Sequence, residues 1–249
     1  MRMPKEGELT YLAQLGDLGR SHSLQKPFSD TDAGMQLASI GFIMALLPRP
    51  PARVLDLGCG GGWTSTFLAR AGYDVVGQDI APDMIDLARE NAALNGLAPR
   101  LSFLCSDFES LMMDGQFDAA IFFDSLHHAE DEGLAIASAW RSLRPGGLLI
   151  THEPGEGHSI EPASLEAMAR YGVTERDMPP RLIVQRGLDA GFRHARVLPM
   201  PVHLFSLFYR DRGPPPPLFS KARYLRIRRA WRMFFKPDMA LGSIVVLTK

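Results

Sequence analysis

Arg53-Val-Leu-Asp-Leu-Gly-Cys-Gly-Gly-Gly-Trp-Thr64 is the stretch that decides the fold of this 249-residue chain. Val54 to Leu57 is a short apolar run broken by one carboxylate, Asp56, and it runs into Gly58, Gly60, Gly61 and Gly62. Trp63 to Arg70 then has helical patterning. A continuous apolar run is the mark of a strand buried on both faces. Glycine admits positive φ and places no Cβ between the backbone and a ligand. A helix starting behind such a loop aims its unpaired N–H groups at whatever lies over it. The stretch therefore predicts strand, glycine turn and helix, with a ligand above the turn.

Two ligand classes use this geometry, and the glycine spacing separates them. A dinucleotide loop follows G-x-G-x-x-G, with its third glycine three residues after the second. Counted from Gly60, that position holds Trp63, so the dinucleotide pattern fails. The spacing present is Gly58-x-Gly60-x-Gly62, with Asp56 two residues ahead of it. It resembles the first motif of the class I S-adenosylmethionine (SAM)-dependent methyltransferases. The resemblance implies that the loop passes beside the methionine part of SAM. It also implies that Asp56 helps hold the SAM amino group, directly or through water, and that Gly58, Gly60 and Gly62 let the backbone approach the cofactor.

Further along, Tyr73 to Asp79 reads as a second strand, followed by a proline-started helix from Pro82 to about Asn95. An acid at the end of this strand suits a ribose, because one carboxylate accepts from both hydroxyls. Asp79 by itself supports a nucleoside without choosing between NAD and SAM. By resemblance, Ile80 packs on the adenine, with Met84 on the same wall. Leu101 to Cys105 is a third strand. Asp107 and Phe108 behind it match the family positions that receive the adenine amine and cover the ring. Phe117 to Phe123 is a fourth, strongly apolar strand ending in Asp124-Ser-Leu-His-His128. This resembles the family's fourth motif, and Asp124 is taken as a cofactor contact. A helix from Glu132 to Leu143 follows. Arg144-Pro-Gly-Gly147 is then a turn into a fifth strand, and it too resembles the family.

The alternation of strand and helix throughout this part predicts a parallel α/β sheet with helices on both faces. Ligands in such sheets bind beyond the carboxyl ends of the strands. Asp79, Asp107, Asp124, His127, His128, His152 and Glu153 all follow strands and so converge on one rim. The tail reads as a helix around Ala163 to Tyr171, a helix from Arg181 to Ala190, a strand from Phe192 to Leu198 and a last strand from Ser243 to Thr248. The resemblance implies a Rossmann-like seven-stranded sheet in the order 3-2-1-4-5-7-6 with the last strand antiparallel.

Two segments flank this plan. Residues 1–50 read as an N-terminal pair of helices, Glu8 to Gly19 and about Asp30 to Leu47, stopped by Pro48, Pro50 and Pro51. They pack on the sheet edge or, as the resemblance implies, form a lid that lets His22 face substrate. Residues 51–249 form the main domain, with a basic insertion at about 211–240. Four prolines, Pro214 to Pro217, precede Lys221 to Lys236, which carries seven basic residues, no acid and interleaved Tyr224, Ile227, Trp231, Phe234 and Phe235. The plain expectation is a helix with its aromatic side on the core. The alternative is contact with an anionic membrane surface or a phosphorylated ligand.

Composition narrows the classes. A net charge of −1 argues against a general nucleic-acid binder. Two cysteines, Cys59 and Cys105, without C-x-x-C spacing fit a reducing compartment and supply neither a disulfide framework nor a cysteine metal site. No apolar stretch approaches a membrane span, so a cytoplasmic location is expected.

The reading is a SAM-dependent methyltransferase with a small-molecule acceptor. O-methylation is expected, of a saccharide or a secondary metabolite. His127 or His128 is the candidate base, because imidazole titrates near neutral pH. His152, Glu153 and His158 are further candidates as base or substrate contacts. The spacing of these groups matches no metal-ligand pattern, and no metal is assigned. An NAD-dependent oxidoreductase and a non-catalytic SAM-binding scaffold are the competing readings.

Overall fold

The computed structural model describes residues 5–97, 99–209, 216–236 and 242–249. Seven strands form one sheet: β1 (Arg53–Leu57), β2 (Asp74–Asp79), β3 (Leu101–Cys105), β4 (Phe117–Phe123), β5 (Leu143–Glu153), β6 (His194–Pro199) and β7 (Ser243–Thr248). Their order is β3-β2-β1-β4-β5-β7-β6, as expected. The first five pair in parallel, while β7 runs antiparallel to both β5 and β6. The order reverses between β1 and β4, which opens a crevice at their carboxyl ends.

Strand alternation divides the apolar residues between two cores. Leu55, Leu57, Ala120, Phe122, Leu149, Val245 and Leu247 face one side, packed against Ile136 and Ala139 of helix α5 (Glu132–Ser142) and Ile183 of α7 (Pro180–Ala190). Val54, Ala119, Ile121, Ile150, Ile244 and Val246 face the other. There they meet Ile40 and Ile43 of α2 (Ala33–Leu46) and Leu68 and Ala69 of α3 (Trp63–Arg70). Side chains two apart share a face of a strand, so apolar residues on both faces require helices on both sides.

The remaining helices are α1 (Glu6–Gln25), α4 (Pro82–Leu94), α6 (Pro162–Tyr171), α8 (Pro201–Phe208) and α9 (Lys221–Phe235). Helix α1 packs on α4 and α6, over the mouth of the crevice. It is kinked at Gly16, whose φ of 63° and ψ of −153° lie outside helical geometry.

Four expectations are corrected. Strand and helix do not alternate throughout, because no helix joins β3 to β4. Side chains hold this connection instead. Asp107 accepts from the Glu109 N–H at 3.0 Å, the Ser138 hydroxyl donates to the Glu109 carbonyl at 2.8 Å, and Leu111 is buried. The Arg144–Gly147 turn is not a lead-in to β5 but an irregularity within it. Pairing jumps from Phe117–Leu143 to Ala119–Leu148, with Gly146 at φ 79°. A helix not anticipated, α8, follows β6. Finally, α9 does not lay its aromatics on the core: none of its residues is buried, and Tyr224, Trp231 and Phe234 are 63%, 50% and 72% exposed. Of the proposed insertion, residues 211–215 and 237–240, with Pro214 and Pro215 among them, lie outside the described residues.

Candidate active site

The glycine turn after β1 is built from inside. Gly58, Gly60 and Gly62 have φ of 69°, 52° and 77°, which L side chains rarely adopt. The three have different neighbours. A Cβ at Gly58 would lie 2.6 Å from the Ser125 Cβ, so the turn after β4 passes directly against it. At Gly62 it would meet Ala88 at 3.0 Å and the Phe103 ring at 3.2 Å, which is helix and sheet packing. At Gly60 it would meet nothing within 4 Å.

Asp56 departs from the expectation. It shares the Val54 face of β1 and points under α3. Its Oδ2 accepts from the Thr64 hydroxyl at 2.6 Å and the Ser65 hydroxyl at 2.5 Å, and the side chain is buried. Burial pushes its carboxyl up to about 6 against these two hydroxyl bonds. It does not line the cavity. It closes the start of α3 and leaves an ionisable acid where a helix N-terminus would otherwise attract an anion.

Above the turn lies a cavity of about 310 Å³. Its walls include Gly58, Gly60, Asp79, Ile80 and Met84, then Asp107, Phe108, Asp124 and His128, so the structure brings eight of the expected site residues, and Met84, together. Asp79 Oδ2 accepts from the Gly60 N–H at 2.9 Å and Oδ1 from the Ala81 N–H at 3.0 Å. Burial raises its carboxyl, and the backbone N–H groups oppose the rise. Phe108 stands edge-on to Phe122 at 5.5 Å. Asp124 sits at φ 48°, a strained setting for a non-glycine residue, with its N–H bonded to the His152 carbonyl at 2.8 Å. Burial favours the neutral form of its carboxyl. The charge and hydrogen bond of His152 outweigh burial and hold it below the usual range.

The histidine pair is split. His128 lines the cavity, and its Nδ1 is 2.6 Å from the Thr174 carbonyl oxygen. A carbonyl accepts only from N–H, so Nδ1 carries the hydrogen and Nε2 a lone pair. Burial, with the nearby His127, pushes His128 down to about 3, so it is neutral. His127 is buried and outside the cavity lining. Its Nδ1 is 2.7 Å from Glu153 Oε2. Burial opposes its charged form, but the Glu153 hydrogen bond and charge prevail and raise its pKa.

Other expected contacts lie outside the cavity lining. Glu153 is fully buried and also accepts the backbone N–H groups of Ser125, Leu126 and His127. It shapes the turn and does not reach the cavity. His152 bridges Asp124 Oδ1 and the Ser39 hydroxyl, each at 3.0 Å, and stacks on Phe123, which pins α2 to β5. His158 bonds Glu175 Oε2 at 2.7 Å from outside the cavity lining. His22 is paired with Asp30 at 3.2 Å, 44% exposed and away from the cavity.

Among the wall residues that sequence reasoning missed are Lys5, Glu8 and Glu175. Lys5 Nζ reaches Asp107 Oδ2 at 2.7 Å and Glu109 Oε1 at 3.0 Å. Glu8 Oε1 accepts the Thr174 N–H at 2.7 Å and lies 3.6 Å from His128 Nδ1. Burial raises Glu8 to about 7, and the charges of Glu175 and Asp79 push the same way. The available signal was the acid of an amphipathic helix expected to lie over the crevice. The partners, more than a hundred residues away, left no local trace.

Residues 55–151 match a family model described as a methyltransferase domain. Residues 55–151 thus form a domain of the class I SAM-dependent methyltransferase type. Among curated relatives of this chain, the ubiquinone biosynthesis O-methyltransferase of Xanthomonas oryzae pv. oryzae is 36% identical over 115 residues, which is 45% of this chain and 46% of that protein. An uncharacterized 37.1 kDa protein in transposon TN4556 of Streptomyces fradiae is 31% identical over 204 residues, covering 78% of this chain and 54% of its own. The chain thus spans about half the length of the curated relatives it matches. Among solved structures, phosphoethanolamine N-methyltransferase 2 of Haemonchus contortus aligns with a TM-score of 0.66 at 19% identity, over all of this chain and 59% of that chain. At that identity the likeness is one of fold.

Proposed function

We propose that this methyltransferase moves a methyl group from SAM to an oxygen of a small polar acceptor, a saccharide or secondary-metabolite hydroxyl. The carrying observation is the charge of the cavity. Six acids line it, Glu8, Asp79, Asp107, Glu109, Asp124 and Glu175, against Lys5 and Lys26. SAM is a net cation, whereas a dinucleotide brings a pyrophosphate. Asp56 holds the Thr64 and Ser65 hydroxyls and puts an acid beneath the start of α3, which disfavours a phosphate there. Both facts favour SAM over NAD, in agreement with Trp63 in the glycine spacing. The O-methyltransferase name of the curated relatives supports oxygen as the accepting atom.

The residues fit the cofactor. Gly60 leaves open backbone, the Asp79 carboxylate has acceptor capacity beyond its two backbone bonds, and Ile80 and Phe108 offer apolar surface to the adenine. Asp107, held by Lys5, faces the same wall and would receive the adenine amine, and Asp124 would attract the cationic end. When bound, SAM supplies the electrophilic sulfonium methyl. The chain must then orient the acceptor and remove its proton. His128 presents a neutral ring to the cavity, and Glu8 beside it titrates near the working pH, which is what a general base needs. The Glu8–His128 pair takes the proton in this reading, and His127 stays behind as a buried support. Residues 1–50 act as a helical lid, because α1 brings Glu8 and Tyr11 to the wall.

A second partner follows from α9. A helix with six basic residues, no acid and exposed Tyr224, Ile227, Trp231 and Phe234 suits the interface of an anionic bilayer. Among the described residues no helix is long and apolar enough to cross a membrane. The reading is therefore peripheral contact from a cytoplasmic protein, with no role for nucleic acid. Co-sedimentation with phosphatidylserine-containing vesicles, lost in Trp231→Glu and absent with phosphatidylcholine alone, supports it. Equal sedimentation with both vesicle types overturns it.

The main test is calorimetric titration with S-adenosylhomocysteine and, separately, NAD. Micromolar binding of the former alone, lost in Asp79→Ala, is expected. Binding of NAD, or of neither by folded protein, overturns the reading. Loss of acceptor methylation in Glu8→Gln and His128→Gln with cofactor binding retained separates an enzyme from a scaffold.

A further inference from the structure

We infer that His127, His158 and Glu175 form a divalent metal site at the wall of the cavity. The three residues come from separate parts of the chain, yet their ligating atoms all lie within 4.8 Å of one another. Glu175 Oε2 is 2.7 Å from His158 Nε2 and 3.5 Å from His127 Nε2. In a tetrahedral site with bonds of about 2.0–2.1 Å, neighbouring donor atoms stand roughly 3.3 Å apart. The two measured distances bracket that value, so small side-chain rotations bring the set to an ion.

The donors are also held in place. His127 gives its Nδ1–H to Glu153, which fixes the ring and turns Nε2, the nitrogen a metal would take in the neutral ring, toward Glu175. A carboxylate behind the far nitrogen of a ligating histidine is the usual support of a metal-bound imidazole. Glu153 also grips the turn carrying His127 through three backbone N–H groups. The turn carrying His158 is gripped by Asp177, which accepts the Gly157 and Ser159 N–H groups at 3.0 and 2.8 Å. Glu175 lies between Thr174, whose carbonyl meets His128, and Arg176, whose N–H donates to the His127 carbonyl at 3.2 Å. Two neutral imidazoles with the carboxylates of Glu175 and Glu153 balance a dication.

Two histidines and one carboxylate leave at least one coordination position open in catalytic zinc sites, and they also suit Fe(II) and Co(II). Glu175 lines the cavity, which puts an ion held by this set beside the cavity wall. The chemical use rests on the methyl-transfer reading: an acceptor hydroxyl bound there loses its proton more readily, to the Glu8–His128 pair. The site accounts for His127, which the sequence offered as a base, and His158, offered as a base or substrate contact, both of which lie outside the cavity lining.

The test is titration of the metal-free full chain with Co²⁺, read by its visible d–d absorption, with Zn²⁺ in competition. One equivalent with the spectrum of a four- or five-coordinate ion is expected, displaced by Zn²⁺ and lost in His158→Gln and in Glu175→Gln. X-ray absorption of the zinc-loaded wild type supplies a readout that needs no variant: two imidazole nitrogens and a carboxylate oxygen at about 2.0–2.2 Å are expected. No binding by folded protein, a shell without two imidazoles, or binding that survives both substitutions overturns the inference. S-adenosylhomocysteine affinity measured in chelator keeps the two readings apart. If it persists while Co²⁺ fails to bind, only the metal site falls.

Discussion

Glu153 holds His127: Nδ1 of the imidazole lies 2.7 Å from Oε2 of the carboxylate, and both groups are buried. Glu153 ends β5 and His127 follows β4, so the pairing of these two strands places one beside the other. The same carboxylate accepts three backbone N–H groups, which makes it the organiser of the turn between Asp124 and Ala129.

Replacing it has a defined cost. Glu153→Gln turns one acceptor oxygen into a donor facing N–H groups. Breaking one side of a buried pair costs about 3–5 kcal/mol, measurable by urea denaturation. His127, raised by Glu153, contributes stability that is full below the ordinary histidine pKa and is lost as pH rises through its folded value. In Glu153→Gln that loss with rising pH shrinks, and NMR titration shows the His127 pKa falling.

Glu8 has the same sign, although it is an acid. Its carboxyl is lifted from 4.5 to about 7, mainly by burial. The folded state therefore holds more protons than the unfolded state between these values, and stability falls as pH rises across that window. The upper bound of the loss is about 3 kcal/mol. Glu8→Gln keeps an acceptor for the Thr174 N–H and cannot ionise. It is expected to be more stable than the wild type at pH 8, with little gain at pH 4.5, and to lose methyl transfer. Thermal melts at the two pH values check this.

Gly60 and Gly62 separate cofactor contact from packing. Gly62→Ala adds a strained φ of 77° and contacts of 3.0–3.2 Å with Ala88 and Phe103, and loses about 2–3 kcal/mol of stability. Gly60→Ala meets only the strain of φ 52°, about 1 kcal/mol. Its larger effect is on S-adenosylhomocysteine affinity, through a methyl group placed at the cavity wall. Denaturation and calorimetry on both variants show opposite rankings.

Asp56 acts on the helix. Asp56→Ala strands the Thr64 and Ser65 hydroxyls and is expected to cost about 1–3 kcal/mol. Asp56→Asn retains an acceptor and costs less. With its carboxyl lifted to about 6, wild-type Asp56 loses stability as pH rises from 3.8 through that value, and the asparagine variant lacks this slope. Cofactor affinity per folded molecule changes little in Asp56→Asn, because Asp56 does not line the cavity.

Much of the fold was legible because its signals are local. Strands β1, β3, β4 and β7 begin and end within a residue of where their apolar runs do, and Gly58, Gly60 and Gly62 occupy the left-handed backbone that their spacing implied. The link from β3 to β4 was misread because it is held by Ser138 and Leu111, not by a periodic pattern. Helix α9 was misread because amphipathic spacing shows that a face exists and not what covers it.

The sequence by itself determined the sheet elements, the glycine turn and the acids after β2, β3 and β4 that converge on the cavity. All of these depend on neighbours within a few residues along the chain. Only the tertiary structure decided which of those side chains line the cavity. It turned Asp56 under α3, buried His127 against Glu153, tied His152 to Ser39 and brought Glu8 from α1 beside His128. The physical reason is that strand alternation and burial set side-chain direction, and the hydrogen bonds that fix each group join residues from 8 to more than 100 positions apart.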